Sequence, residues 1–134
     1  MLKAKIFAIL IILAVLFTMP IFTGCGKVAE YADPITENIL VAINNADYSS
    51  FSKDFDEIMK SELSEEAFPD FLSAVTGQIG NYIEGSKKIV GVNIENELTT
   101  AKYTADFEKA EDVTVEVSFK KINAQMKVVG LWFK

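Results

Sequence analysis

The stretch TTAKYTADFEKAEDVTVEVSFKK (residues 99–121) decides the fold, because its apolar and polar residues alternate with a period of two. That period places apolar side chains on one face of a strand and polar side chains on the other, as in half-buried strands. The residues KAED at 109–112 interrupt the alternation and are short enough for a hairpin. We therefore predict two antiparallel strands that share one buried face. The residues predicted to face inward are Ala101, Tyr103, Ala105, Phe107, Val113, Val115, Val117 and Phe119.

Further strands are predicted on both sides of this hairpin. Val90, Val92 and Ile94 alternate with small or polar residues, and the connections at 96–98 and 122–124 are also of hairpin length. The last stretch, MKVVGLWFK (126–134), is apolar on both faces. It is therefore either a central strand covered on both sides or a strand whose outer face meets a partner. The alternation assigns Met126, Val128 and Trp132 to one face and Val129, Leu131 and Phe133 to the other.

Three amphipathic helices are predicted before the sheet, because apolar residues recur there every three or four positions. Asp33 and Pro34 are predicted to begin the first helix, and Asp47 to cap the second. Pro69 lies at the predicted start of the third. The three apolar stripes are Ile35, Ile39, Leu40 and Ile43, then Phe51, Phe55, Ile58 and Met59, and finally Phe68, Phe71, Leu72, Val75 and Ile79.

Helices followed by an antiparallel meander predict an α+β fold over residues 34–134. The N-terminal helices are expected to pack on one face of a curved antiparallel sheet of about four strands. A segment of this length buries one hydrophobic core and is predicted to be one domain.

Two motifs carry a resemblance to a known family. They are INNADYSSFSKDFDEIMK at 43–60 and the terminal VVGLWFK at 128–134. Residues 34–134 resemble domain-of-unknown-function family 3887, of the nuclear-transport-factor-2-like (cystatin-like) superfamily. The resemblance implies a cone-shaped α+β fold and a bacterial or archaeal lipoprotein. It implies no reaction and supplies no catalytic residue.

The N-terminal segment resembles an export signal. Lys3 and Lys5 precede an apolar run at 6–22 that carries no charge, and the stretch FTGCGK at 22–27 follows. Cys25 in that stretch is the only cysteine of the 134 residues. The tripeptide TGC resembles the end of a bacterial lipoprotein box, which implies cleavage before Cys25 and lipid, including palmitate, on this residue.

The sequence therefore predicts a signal peptide at 1–24, a lipidated Cys25 with a short tether at 25–33, and a domain on the extracytoplasmic face of the cell membrane. Three alternatives remain open at this point. The apolar run is an uncleaved membrane helix, although Pro20 lies near its end, or it is a buried core helix. In the third alternative, Cys25 is a free thiol that follows an ordinary signal.

Composition limits the function. After residue 24 the chain has 11 lysines against 19 acidic residues, a formal charge of about −8, with neither arginine nor histidine. Nucleic acid is therefore not an expected partner, because phosphate binding needs a basic surface. Without histidine, the usual general base and the common nucleophile systems are missing. Zinc sites need several cysteines or histidines, so we predict no catalytic residue, no metal and no cofactor.

Two groups of residues are candidate binding surfaces. Enzymes of the resembled superfamily use a conical pocket between helices and sheet, and the corresponding candidates here are Tyr82, Tyr103, Phe119 and Trp132. Such residues are otherwise ordinary core. Members of that superfamily also dimerise through the open face of the sheet. For this homodimer face the candidates are Val129, Leu131 and Phe133.

Three functions are compatible with these features. The first is a non-enzymatic binding or protein-interaction module, held at the membrane through lipid on Cys25. The second is a small-ligand-binding protein or weak enzyme that uses the cone-shaped pocket. The third is an accessory subunit of a cell-surface hydrolase, which rests on family members fused to hydrolases and so on analogy alone.

Overall fold

A computed structural model describes residues 26–134, so the predicted signal peptide at 1–24 and Cys25 lie outside the described residues. In the described part, helices come first along the chain and strands follow. The elements are α1 (26–45), α2 (Tyr48–Phe51), α3 (Glu57–Glu62), α4 (Phe68–Ile79), β1 (Lys88–Glu95), β2 (Leu98–Phe107), β3 (Ala110–Ile122) and β4 (Gln125–Phe133).

The four strands form one sheet in the order β1-β2-β3-β4, and each is antiparallel to the next. Asn96 and Glu97 turn the chain between β1 and β2, and Asn123 and Ala124 turn it between β3 and β4. All four have positive φ, between 51° and 67°, as two-residue hairpin turns require. The predicted α+β class, with helices followed by a four-stranded antiparallel sheet, is confirmed.

The inner face of β2 and β3 forms the centre of the core. Every residue predicted to face inward on these two strands is buried. The same face receives Ile39 and Leu40 of α1, and an edge-to-face contact joins Tyr31 of α1 to Phe119 at 5.1 Å between ring centroids. The strict alternation of 99–121 therefore predicted correctly which side chains of β2 and β3 are buried.

The first helix differs from its prediction. Residues 26–33 are helical, and Val28 and Ala32 are buried in the core. Asp33 and Pro34 lie within α1 and do not begin it. Val28 and Ala32 continue the apolar stripe of Ile35 and Ile39 towards the N-terminus, and burying that stripe on the sheet stabilises the helix through Pro34. The segment predicted as a tether is therefore part of the packed domain.

The second predicted helix is two short helices. Asp47 caps α2 by accepting a bond from the Ser50 N–H at 3.3 Å, as predicted, and Asp56 caps α3 by accepting from the Met59 N–H at 2.8 Å. Between them the chain turns at 52–54, and Phe55 then forms a parallel bridge with Val128. The Val128 N–H donates to the Asp54 carbonyl at 2.7 Å, and the Asp56 N–H donates to the Val128 carbonyl at 3.1 Å. This pairing gives hydrogen-bond partners to the backbone N–H and carbonyl of Val128 at the outer edge of β4. It also separates α2 from α3, which the sequence predicted as one helix.

β-Bulges change the faces of both outer strands. In β1 the register shifts between Ile89 and Gly91, so Val90 is the extra residue and is exposed, while Ile89 and Val92 pack towards the core. Ile94 pairs with Thr99 on the same face as Val92, but it is exposed. The predicted face was therefore wrong for Val90 and right for Val92 and Ile94.

In β4 the extra residue is Val129, because Phe119 pairs with Val128 while the adjacent Ser118 pairs with Gly130. Beyond this bulge Leu131 pairs with Val117 on the inner face. Phe133 pairs with Val115 on that face, and Trp132 pairs with Glu116 on the outer face. The predicted grouping of Trp132 with Met126 and Val128 was therefore wrong.

Phe51 and Ile58, which the sequence placed on one helix stripe, should respond differently to truncation. Phe51 is fully buried among Phe55, Phe68 and Phe71, whereas 68% of Ile58 is exposed. We expect Phe51→Ala to lower the free energy of unfolding by about 3–5 kcal/mol, and Ile58→Ala to change it by less than about 0.5 kcal/mol. Urea unfolding measures both. Equal effects would contradict the break between α2 and α3.

Candidate functional site

Two carboxylates of α1 receive hydrogen bonds from buried tyrosines, Tyr103 of β2 and Tyr82 of the segment between α4 and β1. Asp33 and Glu37 are four residues apart and so lie on the same side of the helix. The Tyr103 hydroxyl donates to Asp33 Oδ1 at 2.6 Å, and the Tyr82 hydroxyl donates to Glu37 Oε1 at 2.8 Å. Each buried phenol thus has an acceptor, as burial of a hydroxyl requires.

Lys87 completes this group. Its Nζ lies 3.9 Å from both Asp33 Oδ1 and Glu37 Oε1, and 4.8 Å from the centroid of the Tyr103 ring. Only 10% of the Lys87 side chain is exposed, whereas both carboxylates are partly in solvent. We call Asp33, Glu37, Tyr82, Lys87 and Tyr103 the α1–sheet cluster. Sequence reasoning missed three of its members, although the spacing of Asp33 and Glu37 was a readable signal.

The electrostatics of the α1–sheet cluster hold both phenols in their neutral form. Burial raises the pKa of Tyr103 well above its usual value, and the bond to Asp33 raises it further. Burial and Glu37 do the same to the pKa of Tyr82. These phenols are therefore fixed hydrogen-bond donors. The cluster joins α1 to the sheet, and neither phenol is poised to act as a base.

The four predicted pocket residues do not form one site. Tyr82, Tyr103 and Phe119 are buried core residues, with their aromatic rings in contact with other side chains. Trp132 lies across the sheet from them, on the outer face. The interior of the cone is therefore filled by side chains where the sequence indicated a pocket.

The principal open site is a groove of about 560 Å³ between α4 and the adjoining ends of β3 and β4. Its floor is apolar, and small side chains, Ala74 and Ala110, leave room above it. We call this site the α4 groove. Its apolar lining includes Phe71, Val75, Ile79, Val113, Leu131 and Phe133, and its polar lining includes Gln78, Glu111, Asp112 and Lys134.

The predicted dimer face is divided by the bulge. Leu131 and Phe133 line the α4 groove, where Phe133 packs 6.3 Å from Phe71 between ring centroids. Val129 is the bulge residue and lies outside that lining. The three residues therefore do not form one strip on the open face of the sheet. Leu131 and Phe133 instead form part of the lining of the α4 groove.

Comparison with protein-family models gave a match to the model "Protein of unknown function (DUF3887)", over residues 36–131. The chain belongs to the DUF3887 family. The family resemblance predicted from 43–60 and 128–134 is thereby confirmed, and the lipoprotein assignment stays a prediction. No curated protein matched this DUF3887 chain. A solved structure named Rd1NTF2_05, with five substitutions in its title, is similar at 13% identity and a TM-score of 0.49, covering 81% of this chain and 99% of that one.

Two further features describe this DUF3887 domain. Within residues 26–134 no three histidine, cysteine or carboxylate side chains come together as a metal-binding group. None of the helices in this same part of the chain is both long and apolar enough to cross a membrane.

The bond from Tyr103 to Asp33 should contribute to stability in a pH-dependent way. We expect Tyr103→Phe to lower the free energy of unfolding by about 1–3 kcal/mol near pH 7, because a buried hydrogen bond to a charged group is lost. Above about pH 10 the phenol of the unfolded chain loses its proton, while the native protein keeps it. The free energy of unfolding of the wild type therefore falls by at most about 1.4 kcal/mol per pH unit because of this residue.

The difference between wild type and Tyr103→Phe should therefore shrink as the pH rises from 9 towards 11. Urea unfolding at several pH values measures this difference. The lysines titrate in both proteins, so their effect cancels in the comparison. A difference that stays constant across this range would contradict the raised pKa of Tyr103, to which burial contributes most and the bond to Asp33 next.

Proposed function

We propose that this DUF3887 domain is a non-enzymatic binding module at the extracytoplasmic face of the cell membrane, held there by lipid on Cys25. Its ligand is an apolar segment of a neighbouring polypeptide, which occupies the α4 groove. The observation that carries the proposal is the groove itself, with an apolar floor and a rim of polar residues.

The shape and chemistry of the α4 groove favour a polypeptide segment. The groove lies open along the surface between α4 and two strand ends, so an extended or helical segment can lie in it. Phe71, Val75 and Phe133 offer apolar area for anchor side chains, while Gln78 and Lys134 at the rim offer hydrogen bonds. A volume of about 560 Å³ also suits a small molecule, which is the second candidate ligand.

The residues around the groove support binding over catalysis. The chain has no histidine, and its single cysteine, Cys25, is the proposed site of lipid attachment. The two phenols with raised pKa values, Tyr82 and Tyr103, already donate to carboxylates of α1. No nucleophile paired with a base is therefore available from the described residues that line the groove.

The first helix supports a close attachment to the membrane. Residue 26 is already helical, and Val28 is buried in the core, so lipid on Cys25 would be adjacent to the packed domain. The acidic character of the domain opposes binding to anionic lipid, so the lipid itself supplies the attachment. A second copy of the chain is one partner that this placement brings near. It would meet Leu131 and Phe133 in the α4 groove.

Photo-crosslinking in intact cells tests the groove. A photoreactive residue at exposed Gln78, on the groove rim, should yield a discrete protein adduct, whereas one at exposed Glu57 of α3 should not. Val75→Thr, which places a hydroxyl in the groove without changing the volume, should weaken the adduct about three- to tenfold. The same change at exposed Val90 serves as the matched control.

Mass spectrometry of the Gln78 adduct distinguishes the partners. An adduct with twice the mass of the protein identifies a second copy, and another discrete mass identifies a different protein. Identical adducts from Gln78 and Glu57, or an adduct that Val75→Thr leaves unchanged, would contradict binding in the α4 groove.

The attachment is tested by the mass of protein extracted from membranes. We expect a chain that starts at residue 25 and carries diacylglyceryl mass, and we expect Cys25→Ser to lack that mass because the thioether cannot form. An unmodified full-length chain would indicate an uncleaved anchor. A chain cut at this point without lipid would indicate free secretion, and both outcomes would contradict the lipid attachment.

A further inference from the structure

Trp132 is a large apolar side chain on the outer face of the sheet, where exposed Leu98 of β2 lines the same depression. Although it is the largest side chain of the protein, 48% of it is exposed. Its neighbours across the strands are polar, since Glu116 pairs with Trp132 and Lys102 pairs with Glu116. A large aromatic ring in a polar surface is a feature that folding alone does not require.

The ring of Trp132 lies over Gly130, which leaves room for it. A Cβ placed on Gly130 would lie 2.6 Å from Cζ3 and 3.1 Å from Cζ2 of the Trp132 ring, so a larger residue at this position would displace the ring. Gly130 and Trp132 are two residues apart on the same face. The ring therefore leans back along β4 towards Gly130, and about half of the side chain is exposed to solvent.

Hydroxyl and charged groups surround this platform. Ser118 pairs with Gly130, and its Oγ lies 2.8 Å from Thr100 Oγ1 on the next strand. Lys134 Nζ lies 3.0 Å from Glu116 Oε2, so these two charges neutralise each other. The platform thus sits among hydrogen-bonding groups with little local net charge.

The platform opens onto a trough that crosses all four strands. One cavity of about 350 Å³ is lined by residues from Leu98 to Trp132, and a second of about 380 Å³ extends to Gly91 and Asn93 of β1. Thr100 and Glu116 line both cavities, so the two adjoin across β2 and β3. We call this surface the outer trough. Because its lining comes from all four strands, it can hold an elongated ligand.

We propose that the outer trough binds a neutral carbohydrate chain, with one pyranose ring stacked on Trp132. A pyranose has an apolar face of C–H groups, which suits the negative face of an indole ring, and a rim of hydroxyls. Those hydroxyls meet Thr100, which can donate or accept a hydrogen bond, Glu116, which accepts, and Lys134, which donates. The next sugar of the chain lies towards Lys102 and Asn93.

Two other ligands fit this surface less well. Nucleobases also stack on aromatic rings, but their phosphates need a basic surface, and this chain is acidic and lacks arginine. A membrane also accepts an exposed tryptophan, but Trp132 is flanked by Glu116, Lys102 and the Thr100–Ser118 pair, which would enter the interface with it. The proposed ligand differs from that of the α4 groove, and the two sites adjoin at Trp132 and Lys134, which line both.

Because Trp132 is the only tryptophan, its fluorescence reports on the outer trough directly. The full-length protein, in a detergent without sugar such as lauryldimethylamine oxide, is titrated with the β-1,4-linked hexasaccharides of glucose and of N-acetylglucosamine. We expect a saturable change of Trp132 emission with at least one of them, and calorimetry of the same titration should give the same affinity.

Variants connect the signal to the geometry. By calorimetry, Trp132→Ala should weaken binding at least about tenfold, and Trp132→Phe, which keeps an aromatic face, should weaken it less. Gly130→Ala should displace the ring and also weaken binding. Thr100→Val should cost about three- to tenfold through its lost hydroxyl. Glu57→Ala at an exposed position of α3, which lines neither the outer trough nor the α4 groove, is the control that should bind like the wild type. Circular dichroism verifies folding of each variant.

Three outcomes would overturn the proposal. One is the absence of a saturable response to either hexasaccharide at about 10 mM. Another is equal binding by folded wild type, Trp132→Ala and Thr100→Val. The third is quenching of Trp132 by brominated phosphatidylcholine in reconstituted vesicles, which would show that the ring contacts the membrane.

Discussion

The inner face of β2 and β3 must be covered, and the rest of the structure depends on how α1 covers it. The buried apolar residues of these strands include Tyr103, whose hydroxyl cannot enter the core without an acceptor. Asp33 of α1 supplies that acceptor, and Lys87 stands beside both. The contact between Tyr103 and Asp33 therefore holds α1 over the buried face of the sheet and gives the buried phenol its hydrogen-bond acceptor.

The same contact decides what the interior can do. Because phenol, carboxylate and ammonium groups satisfy one another in the α1–sheet cluster, the centre of the cone is occupied by side chains. The two binding surfaces that we propose therefore lie outside this centre, among the described residues. They are the α4 groove, whose lining is mainly apolar, and the outer trough, where polar groups lie around one aromatic ring.

A single extra residue in β4 creates both surfaces. The bulge at Val129 turns Leu131 and Phe133 inward to the α4 groove and turns Trp132 outward onto Gly130. Without it, strict alternation would place Trp132 inward with Val128 and would leave Leu131 and Phe133 on the open face. The family match covers the domain that carries these surfaces, but it does not indicate what they bind.

The sequence by itself determined the α+β class, the hairpins and the buried face of β2 and β3, because strict period-two alternation with short turns admits one register. It also determined the family, through the motifs at 43–60 and 128–134. Only the tertiary structure decided the break between α2 and α3, since that break depends on pairing with Val128, far along the chain. It also decided the length of α1, which packing against the sheet stabilises, and the faces of β4. In a stretch that is apolar on both faces, a bulge does not change the pattern of apolar and polar residues. Its position therefore follows from the pairing of β4 with β3 and cannot be predicted from the sequence of β4.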